Sequence, residues 1–385
     1  MIGRSNNGQP KSNGQPKRKV RYAVVGLGYF GQMAILPAFE HARKNSELAA
    51  LISDDPAKLK RLGAKYGVEQ RGGYDEFEDC LQRAKVDAVY LAVPNSQHRE
   101  FAVRAARAKV HVLCEKPMAV TERECEEMIR ACERNRVKLM IGYRLHFEKG
   151  NLTAMDLVRS GKLGDPRIFN SVFTMQVKDR HNIRIRRETG GGSVYDIGIY
   201  CINAARYLFA DEPVEVAAMT ANNGEARFSE VEEMASVLMR FPNDRLANFV
   251  CSFGGADEGS YEIVGTDGTL RMDPAYESAE DLKQAVTIKG RRRERTFPKR
   301  DQVAPEIIYF SDCILNDQEP EPSGREGLID VQIIRAIYRS ARRGKPVRLN
   351  LKKSDRYPDP SQEIHRLPIE KPELIKAVPP GGKKE

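Results

Sequence analysis

From Val20 to Ile141 short apolar runs alternate with amphipathic stretches, and no other feature limits the possible folds so sharply. The runs Val20–Val25, Leu48–Ser53, Asp87–Val93, Val110–Cys114 and Lys138–Ile141 are rich in Val, Ile, Leu and Ala. Between them, Tyr29–Lys44, Pro56–Tyr66, Ser96–Ala108 and Thr121–Asn135 read as helices. Ser96 and Thr121 are suitable N-caps, and Glu124 follows Thr121 at the capping-box spacing. Buried strands that alternate with helices need a parallel sheet with both faces covered. The predicted class is therefore α/β, with a doubly wound N-terminal domain over residues 20–143.

The first run leads into Gly26-Leu27-Gly28-Tyr29-Phe30-Gly31. A Gly-x-Gly-x-x-Gly pattern alone is weak, but here it follows a strand and opens a helix. Gly26 permits a tight turn, Gly28 lets a pyrophosphate approach the backbone, and Gly31 lets helix and strand pack closely. The helix start then offers free N–H groups and a positive dipole end to phosphate. The whole loop, Leu27, Tyr29 and Phe30 included, is the expected dinucleotide site of a Rossmann domain. The second run ends at Ser53-Asp54-Asp55-Pro56. An acid there would accept the ribose hydroxyls of NAD and repel the 2′-phosphate of NADP. The neutral Ser53, with Lys58 and Arg61 on the next helix, favours NADP; Asp54 keeps NAD as the alternative. A solvated helix face explains Lys58 and Arg61 equally well. Two further strand ends deliver Pro94, Asn95 and His98, then Cys114-Glu115-Lys116-Pro117. Open α/β sheets bind ligands at the carboxyl ends of their strands, which singles out Lys116 among the basic residues.

After Gly142-Tyr143-Arg144 the pattern changes. A helix at Asn151–Ser160 leads to Pro166–Phe173 and then to a glycine-interrupted helix. Residues 235–241 alternate apolar and polar, Pro242-Asn243-Asp244 turns, and Leu246–Phe253 returns. Gly265-Thr266-Asp267-Gly268 predicts a hairpin with Asp-Gly at positive φ. Successive hairpins imply an α+β second domain, residues 144–351, with a large, mostly antiparallel open sheet. Helices Ala304–Asn316 and Arg325–Arg343 close it, and Gly344 and Pro346 stop the last one.

One stretch of this half carries chemistry: Gly190-Gly191-Gly192-Ser193-Val194-Tyr195-Asp196-Ile197-Gly198-Ile199-Tyr200-Cys201-Ile202-Asn203. Ser193 is placed to cap a helix. Asp196, Tyr200 and Asn203 are spaced to share one face of it. Gly198 costs ~1 kcal/mol against Ala in a helix interior unless another group must come close. Core packing explains such a stripe poorly, which favours a binding site; a structural hydrogen-bond network is the alternative.

Composition narrows the partners. The 385 residues carry a net charge of +9, and no apolar run approaches the ~20 residues of a membrane-spanning helix. Residues 1–19 hold five basic side chains and no acid, and are predicted to be a flexible arm. Residues 352–385, with six prolines, read as a loosely packed tail of net charge +2. The folded body is left with only about +2, so the basic pI is no evidence for nucleic acid. The run Arg291-Arg292-Arg293-Glu294-Arg295 has Phe297 as its one aromatic neighbour and reads as a solvated hairpin tip. Seven cysteines, an odd number without Cys-x-x-Cys or Cys/His clusters, argue against disulfides and a metal site. Reduced thiols and the lack of a secretory signal pattern point to the cytoplasm.

Taken in order, Gly-Leu-Gly-Tyr-Phe-Gly, Val-Pro-Asn-Ser-x-His, Cys-Glu-Lys-Pro-Met-Ala, Gly-Tyr-Arg-Leu-His-Phe and Gly-Gly-Gly-Ser-x-x-Asp-Ile-Gly-Ile-Tyr resemble the motifs of the Gfo/Idh/MocA oxidoreductase family. Within it the likeness is greatest to the glucose–fructose oxidoreductase type, from about Val20 to Leu351. The resemblance implies a Rossmann domain followed by a sheet domain that often forms oligomer interfaces, hence a homodimer or homotetramer. It implies a catalytic lysine at Lys116, a helix carboxylate at Asp196 and a Tyr at position 200 where many relatives have His. Asn203 stands where many relatives have Asp. It also implies that Ser53 and Lys58 recognise the NADP 2′-phosphate, that Pro94, Asn95, His98, Glu115, Lys116 and Arg144 face the coenzyme, and that an N-terminal arm can cover the adenine.

Oxidising a sugar hydroxyl requires a base for its proton as hydride leaves the carbon. Tyr200 is the expected acid/base. A free tyrosine titrates near ~10, so a neighbouring ammonium is needed, and Lys116 is the candidate. Lys116 would also bond the reacting oxygen, with Asp196 orienting the lysine or a sugar hydroxyl. Lys116, Arg144, Asp196 and Tyr200 are thus the expected substrate-binding set, with His146 and Arg184 as weaker candidates. A dehydrogenase that releases its coenzyme each turnover and a non-catalytic NADP-binding sensor are the alternatives; the intact Lys116, Asp196 and Tyr200 set argues against a sensor.

Overall fold

The structure is a computed structural model that describes residues 18–382, so most of the predicted arm lies outside it. The first sheet has six strands: β1 (Val20–Val25), β2 (Ser46–Ile52), β3 (Gln70–Gly72), β4 (Ala88–Leu91), β5 (His111–Glu115) and β6 (Leu139–Gly142). They pair in parallel in the order β3-β2-β1-β4-β5-β6. The sequence turns outward at β1, where the order reverses, and the glycine loop sits at that switch point. The helices between them are α1 (Leu36–Ala42), α2 (Pro56–Tyr66), α3 (Phe77–Arg83), α4 (His98–Arg107) and α5 (Glu122–Asn135). Strand β3 and helix α3 were not predicted, because Gln-Arg-Gly at the sheet edge carries no apolar run. Thr121 forms its capping box, with Thr121 N donating to Glu124 Oε2 at 2.8 Å. Ser96 caps nothing: Asn95–Gln97 is a 3-10 turn and α4 begins at His98 without a side-chain cap.

The second domain opens with α6 (Lys149–Arg159), β7 (Pro166–Thr174) and α7 (Ile199–Phe209). The strands β8 (Glu215–Ala221), β9 (Met234–Phe241), β10 (Arg245–Ser252), β11 (Glu258–Gly265), β12 (Gly268–Met272), β13 (Leu282–Ile288) and β14 (Arg291–Phe297) follow. Helices α8 (Ala304–Leu315) and α9 (Gly324–Arg343) and strand β15 (Val347–Arg348) complete it. The nine-stranded sheet runs β14-β13-β12-β11-β7-β10-β9-β8-β15, and only the β7–β10 pair is parallel. The hairpin at Asp267 forms, but neither Asp267 nor Gly268 takes positive φ, since Gly268 already belongs to β12. The basic run is the edge strand β14, not a hairpin tip; the tip is Lys289-Gly290, with φ of 49° and 74°. Charge along an exposed edge blocks further strand pairing.

The domains interlock. Helix α8 packs back on the first sheet, where Tyr22 Oη bonds Ser311 Oγ at 2.9 Å. Residues 352–382 do not hang loose either: Gln362 and Ile375 are buried at 9% and 5% exposure. Helix α7 is fixed by Arg206, fully buried among three carboxylates. Its guanidinium contacts Glu212, Glu326 at 2.7 Å and Asp330 at 2.7 Å.

Burial pushes Glu326 and Asp330 upward, and Arg206 opposes that rise. Arg206→Leu therefore leaves three buried carboxylates without their cation and is expected to cost about 3 kcal/mol or more in urea denaturation. A carboxylate whose folded pKa lies above its unfolded one destabilises the fold as pH rises through that range. The loss should thus be larger at pH 8 than at pH 5.

Candidate active site

The glycine loop carries three different constraints. Gly26 has φ +95°, and a Cβ there would stand 2.5 Å from Ala92 O. A Cβ on Gly31 would stand 2.7 Å from Gly26 O. Around Gly28 a Cβ would meet nothing within 4 Å, so the loop leaves open space above its middle glycine. Leu27 is buried beneath it, with Tyr29 and Phe30 half-buried at the rim. A phosphate fits such a cradle at a helix start.

At the end of β2, Ser53 is buried and its Oγ accepts from Asp55 N at 3.3 Å. Asp55 is committed to capping α2, accepting from Ala57 N at 2.9 Å and Lys58 N at 3.2 Å. Asp54 is exposed, and Lys58 is half-buried on the first turn.

A cleft of about 300 Å³ separates the two domains beside this loop. Phe30, Asn95, His98, Glu115 and Lys116 line it from the first domain, and Arg184, Asp196 and Tyr200 from the second. Lys116 follows β5, and its Nζ donates to Asp196 O at 2.8 Å and approaches Asp196 Oδ1 at 3.5 Å. Arg184 Nε donates to Asp196 Oδ2 at 2.7 Å. Lys116 Nζ stands 4.8 Å from the Tyr200 ring centre. Arg144 Nε donates to Tyr200 Oη at 3.2 Å, and its Nη1 is held by Gln302. Lys116, Asp196, Tyr200, Arg144 and Arg184 thus meet at one point, drawn from segments up to 84 residues apart in sequence between Lys116 and Tyr200.

Electrostatics follow from this packing. Burial works against the Lys116 charge, but Tyr200, Asp196 and Glu115 outweigh it and raise its pKa. Burial likewise opposes ionisation of Asp196, yet Arg184 and Lys116 hold its carboxyl below the usual range. Behind Lys116, burial pushes both Glu115 and Glu306 upward, Glu306 furthest. Tyr90 Oη bonds both, at 2.8 and 3.1 Å. Glu306 lies on α8 and its part in this pair was invisible in sequence, since the contact spans 191 residues from Glu115.

The local backbone departs from the predicted helix. Val194–Gly198 is a π-helical turn, a form concentrated at functional sites. Ser193 is not a cap: it is already helical, and its Oγ donates to Glu232 at 2.9 Å. Glu232 supplies the acceptor instead, taking Val194 N at 3.1 Å. Gly198 sits at a close approach, as a Cβ would lie 3.1 Å from Cys251 Sγ. Asn203 turns from the cleft to donate to Asp330 at 2.8 Å. His146 is fully buried between Glu321 and Asn203. His98 is also fully buried, bridging Val93 O and Pro117 O at 3.0 and 2.9 Å, so it ties two ligand-facing loops together. Asn95, after half-buried Pro94, donates to Gly190 O at 2.9 Å and joins the domains. Cys114 is buried with its thiol pushed up, which makes it unreactive. Among the described residues no group of three or more His, Cys, Asp or Glu side chains could hold a metal.

The two glycines give a paired test. Gly28→Val should keep the melting temperature and abolish binding of a nicotinamide dinucleotide followed by fluorescence. Gly26→Ala should lower the melting temperature, because both φ and the Ala92 carbonyl reject a side chain. Equal effects from the two substitutions would refute the assignment.

Comparison with known proteins agrees with this geometry. Residues 20–143 match the family model described as "Oxidoreductase family, NAD-binding Rossmann fold". Residues 151–271 match the GFO/IDH/MocA C-terminal domain. A D-xylose 1-dehydrogenase [NADP(+)] of Haloarcula marismortui is 32% identical, covering 86% of this chain and 93% of its own. A dTDP-3,4-didehydro-2,6-dideoxy-alpha-D-glucose 3-reductase of Saccharopolyspora spinosa is 30% identical, over 85% and 99%. The crystal structure of an aldose-aldose oxidoreductase from Caulobacter crescentus superposes with a TM-score of 0.82 at 40% identity, covering 86% of this chain and all of the other. With both domain models matched in order around a cleft that holds the lysine, carboxylate and tyrosine, the chain belongs to the Gfo/Idh/MocA family of NAD(P)-dependent oxidoreductases.

Proposed function

We propose that this enzyme moves hydride between sugar carbons and NADP, with an aldose as substrate in each half-reaction and the coenzyme kept between them. The convergence of Lys116, Asp196 and Tyr200 beside the glycine loop carries this reading. Ser53 and Lys58 at the end of β2 support NADP over NAD, as does NADP in the name of the Haloarcula enzyme. The name of the Caulobacter protein supports two aldoses over a glucose–fructose exchange. The xylose dehydrogenase supports a second reading, in which one sugar is oxidised and the coenzyme leaves.

When bound, the nicotinamide accepts or returns the hydride. The chain's own residues handle the proton. The sugar O–H bond breaks towards Tyr200 Oη, and in the reverse direction Tyr200 returns that proton. Arg144 orients the phenol through its Nε contact. Lys116 donates to the reacting oxygen while negative charge grows on it. Asp196 and Arg184 keep Lys116 aimed at the cleft, so they are positioning residues.

The outer face of the large sheet supports self-association. Ile168, Leu238, Leu246 and Val250 are 41%, 45%, 37% and 38% exposed on adjoining strands, an apolar patch suited to a second copy. Buried, unpaired thiols support a reducing compartment such as the cytoplasm.

Tyr200→Phe, loaded with NADP and mixed with an aldose panel, should slow single-turnover hydride transfer by ~10²-fold or more. A near-normal rate would remove Tyr200 as acid/base. Nicotinamide fluorescence surviving purification and gel filtration would support retention, and its loss would favour the exchanging dehydrogenase. Leu238→Glu with Val250→Lys should convert the oligomer to monomer in light scattering.

A further inference from the structure

The last described segment touches both domains. Arg366 donates to His41 O at 3.0 Å, anchoring the segment to the first domain. Arg61 meets Glu373 at 3.4 Å. Ile375 then pairs twice with Gln32, directly after the glycine loop: Ile375 N donates to Gln32 Oε1 at 2.7 Å and Gln32 Nε2 donates to Ile375 O at 2.9 Å. The same Gln32 amide also donates to Leu27 O at 2.9 Å, inside the loop itself. Lys376 follows with φ +46°, a left-handed conformation that lysine seldom adopts. Its Nζ lies 3.4 Å from Asp55, next to Ser53. Four residues later Pro380 O accepts from Lys178 N at 3.1 Å, beyond the β7 strand of the second domain.

We infer that residues 372–382 form the outer wall of the coenzyme site and that Lys376 is a second cation, beside Lys58, for the 2′-phosphate of a 2′-phosphorylated dinucleotide. This rests on the NADP reading above. The need for such a cation comes from Asp55. Its carboxylate caps α2 beside Ser53 and would repel a dianionic phosphate there. Lys376 offsets that charge, and with 62% of its side chain exposed its ammonium is free to turn from Asp55 to a ligand. The strained φ and the two-point Ile375–Gln32 pairing fix where the lysine emerges. NAD, without the 2′-phosphate, gains little from it.

Titration of the full-length protein with NADPH and NADH, followed by fluorescence, tests this without turnover. Lys376→Gln should weaken NADPH about tenfold and leave NADH within about twofold. Lys376→Arg should restore NADPH binding. An unchanged NADPH constant in the Gln variant, or an equal loss for both nucleotides, would overturn the inference while leaving the NADP reading intact. A wild-type chain that prefers NADH would overturn both.

Discussion

The contact between Lys116 and Asp196 joins the two domains at the point where their chemistry must coincide. One partner hangs from the end of a parallel strand and the other from a π-helical turn, so neither domain owns the site. Their side chains are 13% and 19% exposed, which makes the ion pair much less screened than one at the surface. Arg184 adds a second cation to Asp196, giving two positive charges around one carboxylate. That surplus matters. The two cations favour the ionised Asp196 against its burial, and the Lys116 Nζ is anchored a second time on the Asp196 carbonyl.

The supports behind this contact are built to resist movement. Glu232 receives both the Ser193 hydroxyl and the Val194 amide, and Tyr338 Oη also donates to it at 2.8 Å. Gly198 lets the turn press against Cys251 and Phe249, which a Cβ there would meet at 3.1 and 3.3 Å. Farther along the same helix, Arg206 is held by three carboxylates and cannot shift without exposing them to unpaired burial. Tyr200 sits between these two fixed points. Its hydroxyl position is therefore set by the backbone of α7 as much as by Arg144, and pre-organisation of that kind is what the proposed proton transfer would need.

Much of this was legible in sequence for physical reasons. The glycine loop has a pattern that only one local geometry satisfies, and strands β1 and β2 are apolar runs with nothing to hide them. The stripe Asp196–Tyr200 stood out because polar groups and glycines interrupt an apolar helix. What escaped were contacts between distant segments. Glu232 as a helix cap, Glu306 bonded through Tyr90, and Gln32 gripping Ile375 each depend on tertiary pairing that leaves no periodic mark. Ser193 and Ser96 failed as caps because local propensity yielded to tertiary geometry. Asn203 and His146 had the right chemistry on the right segments, yet both serve the buried network that holds α7.

The domains are also joined away from the cleft. Helix α8 from the second half of the chain packs on the first sheet, and α9 lies against both α5 and β8. Interlocked this way, the domains are joined by buried apolar contact as well as by the residues of the cleft. On the proposed reading, the segment at residues 372–382 adds the outer edge of the coenzyme site. Its grip on the first domain combines the buried Ile375, whose backbone pairs twice with the Gln32 side chain, with exposed ion pairs at Glu373 and Lys376. Exposed pairs of this sort contribute little each and weaken with salt. The buried Ile375 pairing, rather than those ion pairs, therefore fixes the segment against the glycine loop.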